Sequence, residues 1–192
     1  MADDFTGSNI DLVKWTKVDP SGTNVTQNNY LIVKNSLGGA WGATSLSTAS
    51  TYPRSNNTSF TIDVTTNSSD TLIGYGDTNF AGSGKNAYLL DITAHSGGGI
   101  VAFIWQNGSP IASPVCAGGA ADGTYKMTLT ATGYQIYRGG SLLCSVDGLA
   151  SLDNQHFFVE ANYAASGAYF DNAIVSDSVV GPSSLKAISS FT

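Results

Sequence analysis

Of the 14 acidic residues in this 192-residue chain, 13 are aspartates and one, Glu160, is a glutamate. Two carboxyl groups about 5 Å apart can hydrolyse a glycoside with retention, one as nucleophile and one as acid and base. Glu160 has no second glutamate for such a pair. Asp63, Asp77 and Asp91 are available as substitutes, but a single aspartate on a strand is more simply read as a solvent-facing partner of a turn. The two histidines stand beside turn-like or aromatic runs, His95 before Ser96-Gly97-Gly98-Gly99 and His156 before Phe157-Phe158. Both read as loop residues. The serines form no G-x-S-x-G elbow. Gly97-Gly98-Gly99 has no following helix whose N-terminus could hold a phosphate, so it reads as a turn between strands. No catalytic residue is assigned.

Recognition chemistry is better supplied. Proteins bind sugars by stacking an aromatic ring on the apolar face of a pyranose, while amides and carboxylates meet the hydroxyls in fixed directions. If 101–107 is a strand, Val101, Phe103 and Trp105 share one face, and Ala102, Ile104 and Gln106 the other. Along 157–162, Phe157, Val159 and Ala161 oppose Phe158, Glu160 and Asn162. Trp41, Tyr75 and Tyr163 lie beside glycine-rich turns, where a ring can project from a loop. The expected ligand-binding set is therefore Trp41, Tyr75, Trp105, Gln106, Glu160, Asn162 and Tyr163, with both faces of 101–107 named because sequence does not fix the register. The competing reading of each aromatic is an edge residue covering the rim of the fold.

The elements that must position these groups are strands. Leu31 and Val33 alternate with Ile32 and Lys34; Phe60, Ile62 and Val64 with Thr61, Asp63 and Thr65; Tyr125, Met127 and Leu129 with Lys126, Thr128 and Thr130. This period of two marks half-buried strands. Turn chemistry separates them at Pro20-Ser21-Gly22, Asn67-Ser68-Ser69-Asp70, Asn107-Gly108, Thr132-Gly133 and Gly139-Gly140. No stretch shows apolar residues at i, i+3, i+4 and i+7 among helix formers. An all-β, antiparallel sandwich or barrel follows. Residues 1–177 form one domain on this reading, and 178–192 a linker or a strip lying on the sandwich, which suggests a longer modular protein.

Composition removes several partners. Only 11% of residues are charged, against roughly 25% in an ordinary soluble domain, and eight scattered Lys and Arg leave a net charge of −6. A nucleic-acid binder needs a basic face, so nucleic acid is not expected. No apolar run approaches the roughly 20 residues that cross a bilayer, and a membrane partner is not expected either. Abundant Ser, Thr, Asn and Gly with little Lys and Glu point to an extracellular, cell-surface or virion setting. Cys116 and Cys144 match no zinc spacing and allow one disulfide; the sequence leaves bridge and no bridge equally open.

Asp3-Asp4-Phe5-Thr6-Gly7-Ser8-Asn9-Ile10-Asp11, followed by Lys14-Trp15-Thr16, resembles the opening of LamG-like jelly-roll domains in the concanavalin A-like lectin/glucanase superfamily. Tyr169-Phe170-Asp171-Asn172-Ala173-Ile174-Val175 is similar to their closing strand, and 123–146 to their late meander of three strands. The resemblance implies a jelly roll of two six- or seven-stranded sheets with a concave sugar-binding face. It also implies first and last strands in contact, with Phe5, Trp15 and Phe170 in the core. The E-x-D-x-(x)-E pattern of glucanases in this group is absent. So is the Gln and His separated by one apolar residue found in its lyases, and the negative charge opposes their polyanionic substrates. Members often hold a structural Ca²⁺ where the chain ends meet, with Asp4 and Asp171 as its carboxylates here; the plainer alternative makes them turn caps. The expectation is a non-catalytic carbohydrate- or surface-binding module. Its rival is a structural or adhesion domain of an assembly such as a phage tail appendage or bacterial surface array, with a glycan-degrading enzyme third.

Overall fold

The computed structural model describes residues 1–35, 41–54, 57–65, 71–92, 99–148, 152–161 and 167–176. Among them every regular element is a strand. In chain order these are β1 (Ala2–Asp3), β2 (Trp15–Val18), β3 (Val25–Gln27), β4 (Leu31–Val33), β5 (Ser45–Thr48), β6 (Ser59–Thr65), β7 (Thr71–Gly76) and β8 (Ala87–Ile92). They continue with β9 (Gly99–Gln106), β10 (Ser109–Ala112), β11 (Val115–Gly119), β12 (Gly123–Leu129), β13 (Gly133–Arg138), β14 (Ser141–Asp147), β15 (His156–Ala161) and β16 (Ala168–Ser176).

The strands form two antiparallel sheets packed as a jelly-roll sandwich. The first runs β14-β13-β12-β6-β16-β4-β3, with β1 also on β16; the second runs β10-β9-β8-β7-β15-β5-β2, with β11 also on β9. Each sheet holds eight strands rather than six or seven. The surplus comes from short edge pieces: β1 has two residues, and β10 and β11 share one edge of β9 end to end.

The alternation read from sequence sets the core. Phe60, Ile62 and Val64 of β6 and Tyr125, Met127 and Leu129 of β12 face Ile73, Tyr75, Tyr88, Leu90, Phe157 and Val159 of the second sheet. Tyr134 spans the two layers, its hydroxyl 3.0 Å from the carbonyl oxygen of Leu89 and 2.9 Å from that of Phe103. Asn107-Gly108 joins β9 to β10 with both residues at positive φ, 53° and 76°, the two-residue turn whose twist matches a hairpin. At the chain ends β1 pairs with β16, as the resemblance implies. Trp15 is 1% exposed, tilts against Phe5 at 5.3 Å and donates its indole N–H to Asp3 at 2.8 Å. A disulfide links Cys116 on β11 to Cys144 on β14, settling the open alternative and tying one sheet to the other. The proposed tail, 178–192, lies outside the described residues.

One strand breaks the simple pattern. On β16 the buried residues are Ala168 and Phe170, then Ala173 and Val175, and the pairing with β6 shifts between Asp171 and Ile174. A bulge there leaves two consecutive residues, Asp171 and Asn172, on the outer surface, with Asn172 at φ 50°.

Candidate functional site

The outer face of the second sheet carries most of the chemistry. Its central strands β7 and β8 are buried at every position, because this sheet is covered on both sides. Facing away from the core, Leu72, Ala87, Leu89, Trp105 and Phe158 form a second apolar cluster with Phe80 from the β7–β8 connection, and Trp41 and Phe103 pack on it half-buried. The rings interlock. Trp41 lies 6.1 Å from Phe80, 6.4 Å from Phe103 and 6.0 Å from Trp105; Phe80 lies 5.0 Å from Trp105 and stacks at 6.0 Å on Phe158. Gly74 makes this possible, since a Cβ there would fall 2.2 Å from the Phe158 ring.

Two segments roof the cluster. The first, 41–44, is tied down by Glu160, whose Oε1 accepts the Gly42 N–H at 2.6 Å. The second, 77–86, is held by Asp77 accepting the Asn86 N–H at 2.9 Å, and by Asn107 of the hairpin accepting the Gly84 N–H at 2.6 Å. A Cβ on Gly42 would lie 3.0 Å from the Asn79 Cα, so the two segments touch.

Polar groups punctuate the same face. In one row across the sheet run Ser45, Glu160, Leu72, Asp91 and Val101. Glu160 and Asp91 are 0% and 3% exposed. One strand separates them, and at about 4.8 Å per strand their backbones stand roughly 10 Å apart. Trp105 is 8% exposed, and its buried indole Nε1 has no acceptor among the described residues.

Three residues expected at the site, Trp41, Trp105 and Glu160, are thus brought together. Tyr75 is not. It sits on β7 with the parity of Ile73, is 0% exposed and donates its hydroxyl to the Tyr52 carbonyl at 2.9 Å. The glycine after it belongs to the strand rather than to a loop, so the ring is drawn into the core. Gln106 is exposed at the end of β9 with the parity of Ala102 and Ile104, off this face. Asn162 and Tyr163 lie outside the described residues. Four aromatic or acidic residues of the face were missing from the expected set. Phe103 and Phe158 share the alternation of Trp105 and Glu160 and were open to that reading; Phe80 and Asp91 arrive through a connection and a neighbouring strand, which no local pattern announces.

Asp4 and Asp171, the expected calcium carboxylates, each have local hydrogen-bond partners. Asp4 accepts the N–H and hydroxyl of Thr6 at 3.1 and 2.9 Å, which hold its exposed carboxyl below the ordinary aspartate range. Asp171 accepts the Asn172 N–H at 2.8 Å. The two aspartates line separate depressions, and the described residues contain no group of three His, Cys, Asp or Glu side chains placed to hold a metal.

The chain matches no protein-family model and, in sequence, no curated protein. Solved structures do resemble it. A β-glucanase of Bacillus licheniformis superposes with a TM-score of 0.63 at 10% identity, covering 92% of this chain and 97% of that one. The carbohydrate-binding module CBM66 of Bacillus subtilis gives 0.56 at 15% identity, covering 87% and 98%. A lichenase from a mouse hindgut metagenome gives 0.63 at 9% identity, covering 91% and 97%. The fold is the concanavalin A-like jelly roll, and at these identities the likeness concerns the fold alone.

Proposed function

We propose that this chain is a non-catalytic carbohydrate-binding module working outside the cell, with its site at the rim of the outer face of the second sheet. The observation that carries the reading is the half-buried pair Trp41 and Phe103 set against Trp105, whose indole N–H lacks an acceptor among the described residues. Two part-open rings offer a stacking surface for a pyranose. Structural neighbours that are glucanases and a carbohydrate-binding module are compatible with it. The disulfide fits an oxidising compartment.

Binding is favoured over hydrolysis by the state of the carboxylates. Glu160 is fully buried beneath the 41–44 segment and committed to the Gly42 N–H. The test is a glycan array with the purified protein, followed by a reducing-end assay on every polysaccharide it retains. Retention without release of sugar is expected; release abolished by Glu160→Gln would make the protein a hydrolase, and no retention would leave it a scaffold.

A further inference from the structure

The first sheet has an outer face of its own, remote from Trp41, and it carries a depression of about 450 Å³ lined by Tyr30, Asp63, Thr65, Tyr169, Phe170 and Asp171. That size lies within the roughly 300–1,000 Å³ of small-ligand sites. Tyr169 on β16 stands between Ile32 of β4 and Thr65 of β6. Beside it Tyr30, at the foot of β4, is 40% exposed, and the two rings meet edge to face at 5.2 Å with planes 61° apart. They form an apolar corner open to water.

Next to the corner, Asp63 and Asp171 face each other directly across β6 and β16. Like charges in register weaken a sheet, so this arrangement has to be held by donors. Asp63 takes one from the Thr124 hydroxyl and one from the Asn172 amide at 2.8 Å; Asp171 takes the Asn172 N–H. The bulge at Asp171 and Asn172 is what puts both side chains outside and lets the amide of Asn172 reach Asp63. Each carboxylate still has lone pairs to offer, since two oxygens provide about four acceptor sites. The depression therefore sets an aromatic corner beside a fixed row of acceptors, and no Lys or Arg is among its described lining residues.

We propose that this depression is a second carbohydrate site, selective for neutral glycans. A pyranose seats its C–H face on Tyr169 and its edge on Tyr30, and neighbouring hydroxyls donate to Asp171 and Asp63. A uronic or sulfated sugar would bring its negative charge against two aspartates, with no Lys or Arg among the described lining residues to meet it, and is rejected. The site is independent of the Trp41 face, so either can stand without the other.

The probes are neutral gluco-, xylo- and manno-oligosaccharides, with polygalacturonate as the acidic control, read by amide chemical-shift mapping and calorimetry on the whole chain. At least one neutral oligosaccharide should move the amides of β6 and β16. Tyr30→Ala and the near-isosteric Asp171→Asn should each weaken that response about tenfold or more, while Trp41→Ala leaves it unchanged. The proposal is overturned if no neutral oligosaccharide moves those amides, if both variants respond like the parent, or if polygalacturonate binds there equally well. A response confined to the Trp41 segment would uphold the binding module and sink this second site; one confined to β6 and β16 would do the reverse.

Discussion

Glu160 on β15 holds Gly42 by a 2.6 Å hydrogen bond from the Gly42 N–H to its Oε1, and this contact joins residues 118 apart in the chain. It fixes the segment carrying Trp41 over the aromatic cluster. Glu160→Ala leaves a buried N–H without its acceptor, which costs about 1–3 kcal/mol. Glu160→Gln keeps a side-chain carbonyl to accept the same N–H and should cost less. Chemical denaturation of the two variants checks the order, and equal midpoints would remove the anchoring role.

Binding at the second sheet should depend on rings rather than on charge. Trp41→Ala removes a stack worth about 0.5–1.5 kcal/mol, so affinity for the sugar identified on the array should fall roughly two- to twelvefold at about 1.4 kcal/mol per decade. Trp105→Phe keeps a ring and deletes the indole N–H. A loss with Trp41→Ala and none with Trp105→Phe would show that stacking, without the hydrogen bond, supplies the affinity.

The disulfide should matter more than any of these single contacts. Cys116 and Cys144 are 28 residues apart and tie β11 to β14, edge strands of different sheets. Closing a loop of that length stabilises by about 3–4 kcal/mol in the chain-entropy treatment. Cys116→Ser with Cys144→Ser should therefore lower the melting temperature markedly, and dithiothreitol should do the same to the parent. A shift of only a degree or two would mean that strand pairing alone secures that edge.

How far the sequence revealed this arrangement depends on the range of each interaction. The β-class and the core faces of β4, β6 and β12 follow from period-two alternation and turn residues, which act over a few positions, whereas the core placement of Trp15 was implied by the resemblance of the opening segment. Asn107-Gly108 carries its hairpin in two residues. The site was legible where it shared that alternation, in Trp105 and Glu160, and where a ring stood beside a glycine-rich turn, in Trp41. Tyr75 misled because the glycine beside it resembles a turn signal, when Gly74 and Gly76 are strand positions facing the second cluster. The Asp171 and Asn172 bulge, where buried Ala168 and Phe170 are followed by buried Ala173 and Val175, was not read from the sequence. That Asp63 lies opposite depends on the order of strands in the sheet, which no local pattern encodes.

Acid should loosen the 19–25 loop. Burial alone would raise the Asp19 carboxyl, but the Val25 N–H, the Ser21 hydroxyl and Lys17 at 3.3 Å outweigh it and hold the group below the ordinary 3.8. A depressed carboxyl contributes stability that is full above its unfolded pKa and is lost as pH falls through the folded one. Asp19→Asn should thus cost most near neutrality, about 1–3 kcal/mol because Asn24 and Val25 both donate to Oδ2, and the difference from the parent should shrink below about pH 4. A difference independent of pH would assign the loss to packing.

Alkali should act on the tyrosines that bridge the core. Burial pushes the Tyr75 phenol up to about 12, with the Gln155 N–H opposing that shift and Asp153 adding to it. Tyr134 is raised too, first by burial and then by its neighbour Tyr88. Up to about pH 10 the phenols are protonated in both the folded and the unfolded chain, and they add no pH dependence. Above that the unfolded chain releases protons that the folded one retains, so stability falls as pH rises, by up to about 1.4 kcal/mol per unit for each tyrosine. Tyr134→Phe should lower stability near neutrality by about 1 kcal/mol, through the lost hydroxyl contacts to Leu89 and Phe103. The same variant should flatten the alkaline slope, because one of the retained protons is gone. Urea unfolding in steps from about pH 9 to 11 measures both effects, and a variant as steep as the parent would place the alkaline loss on other groups.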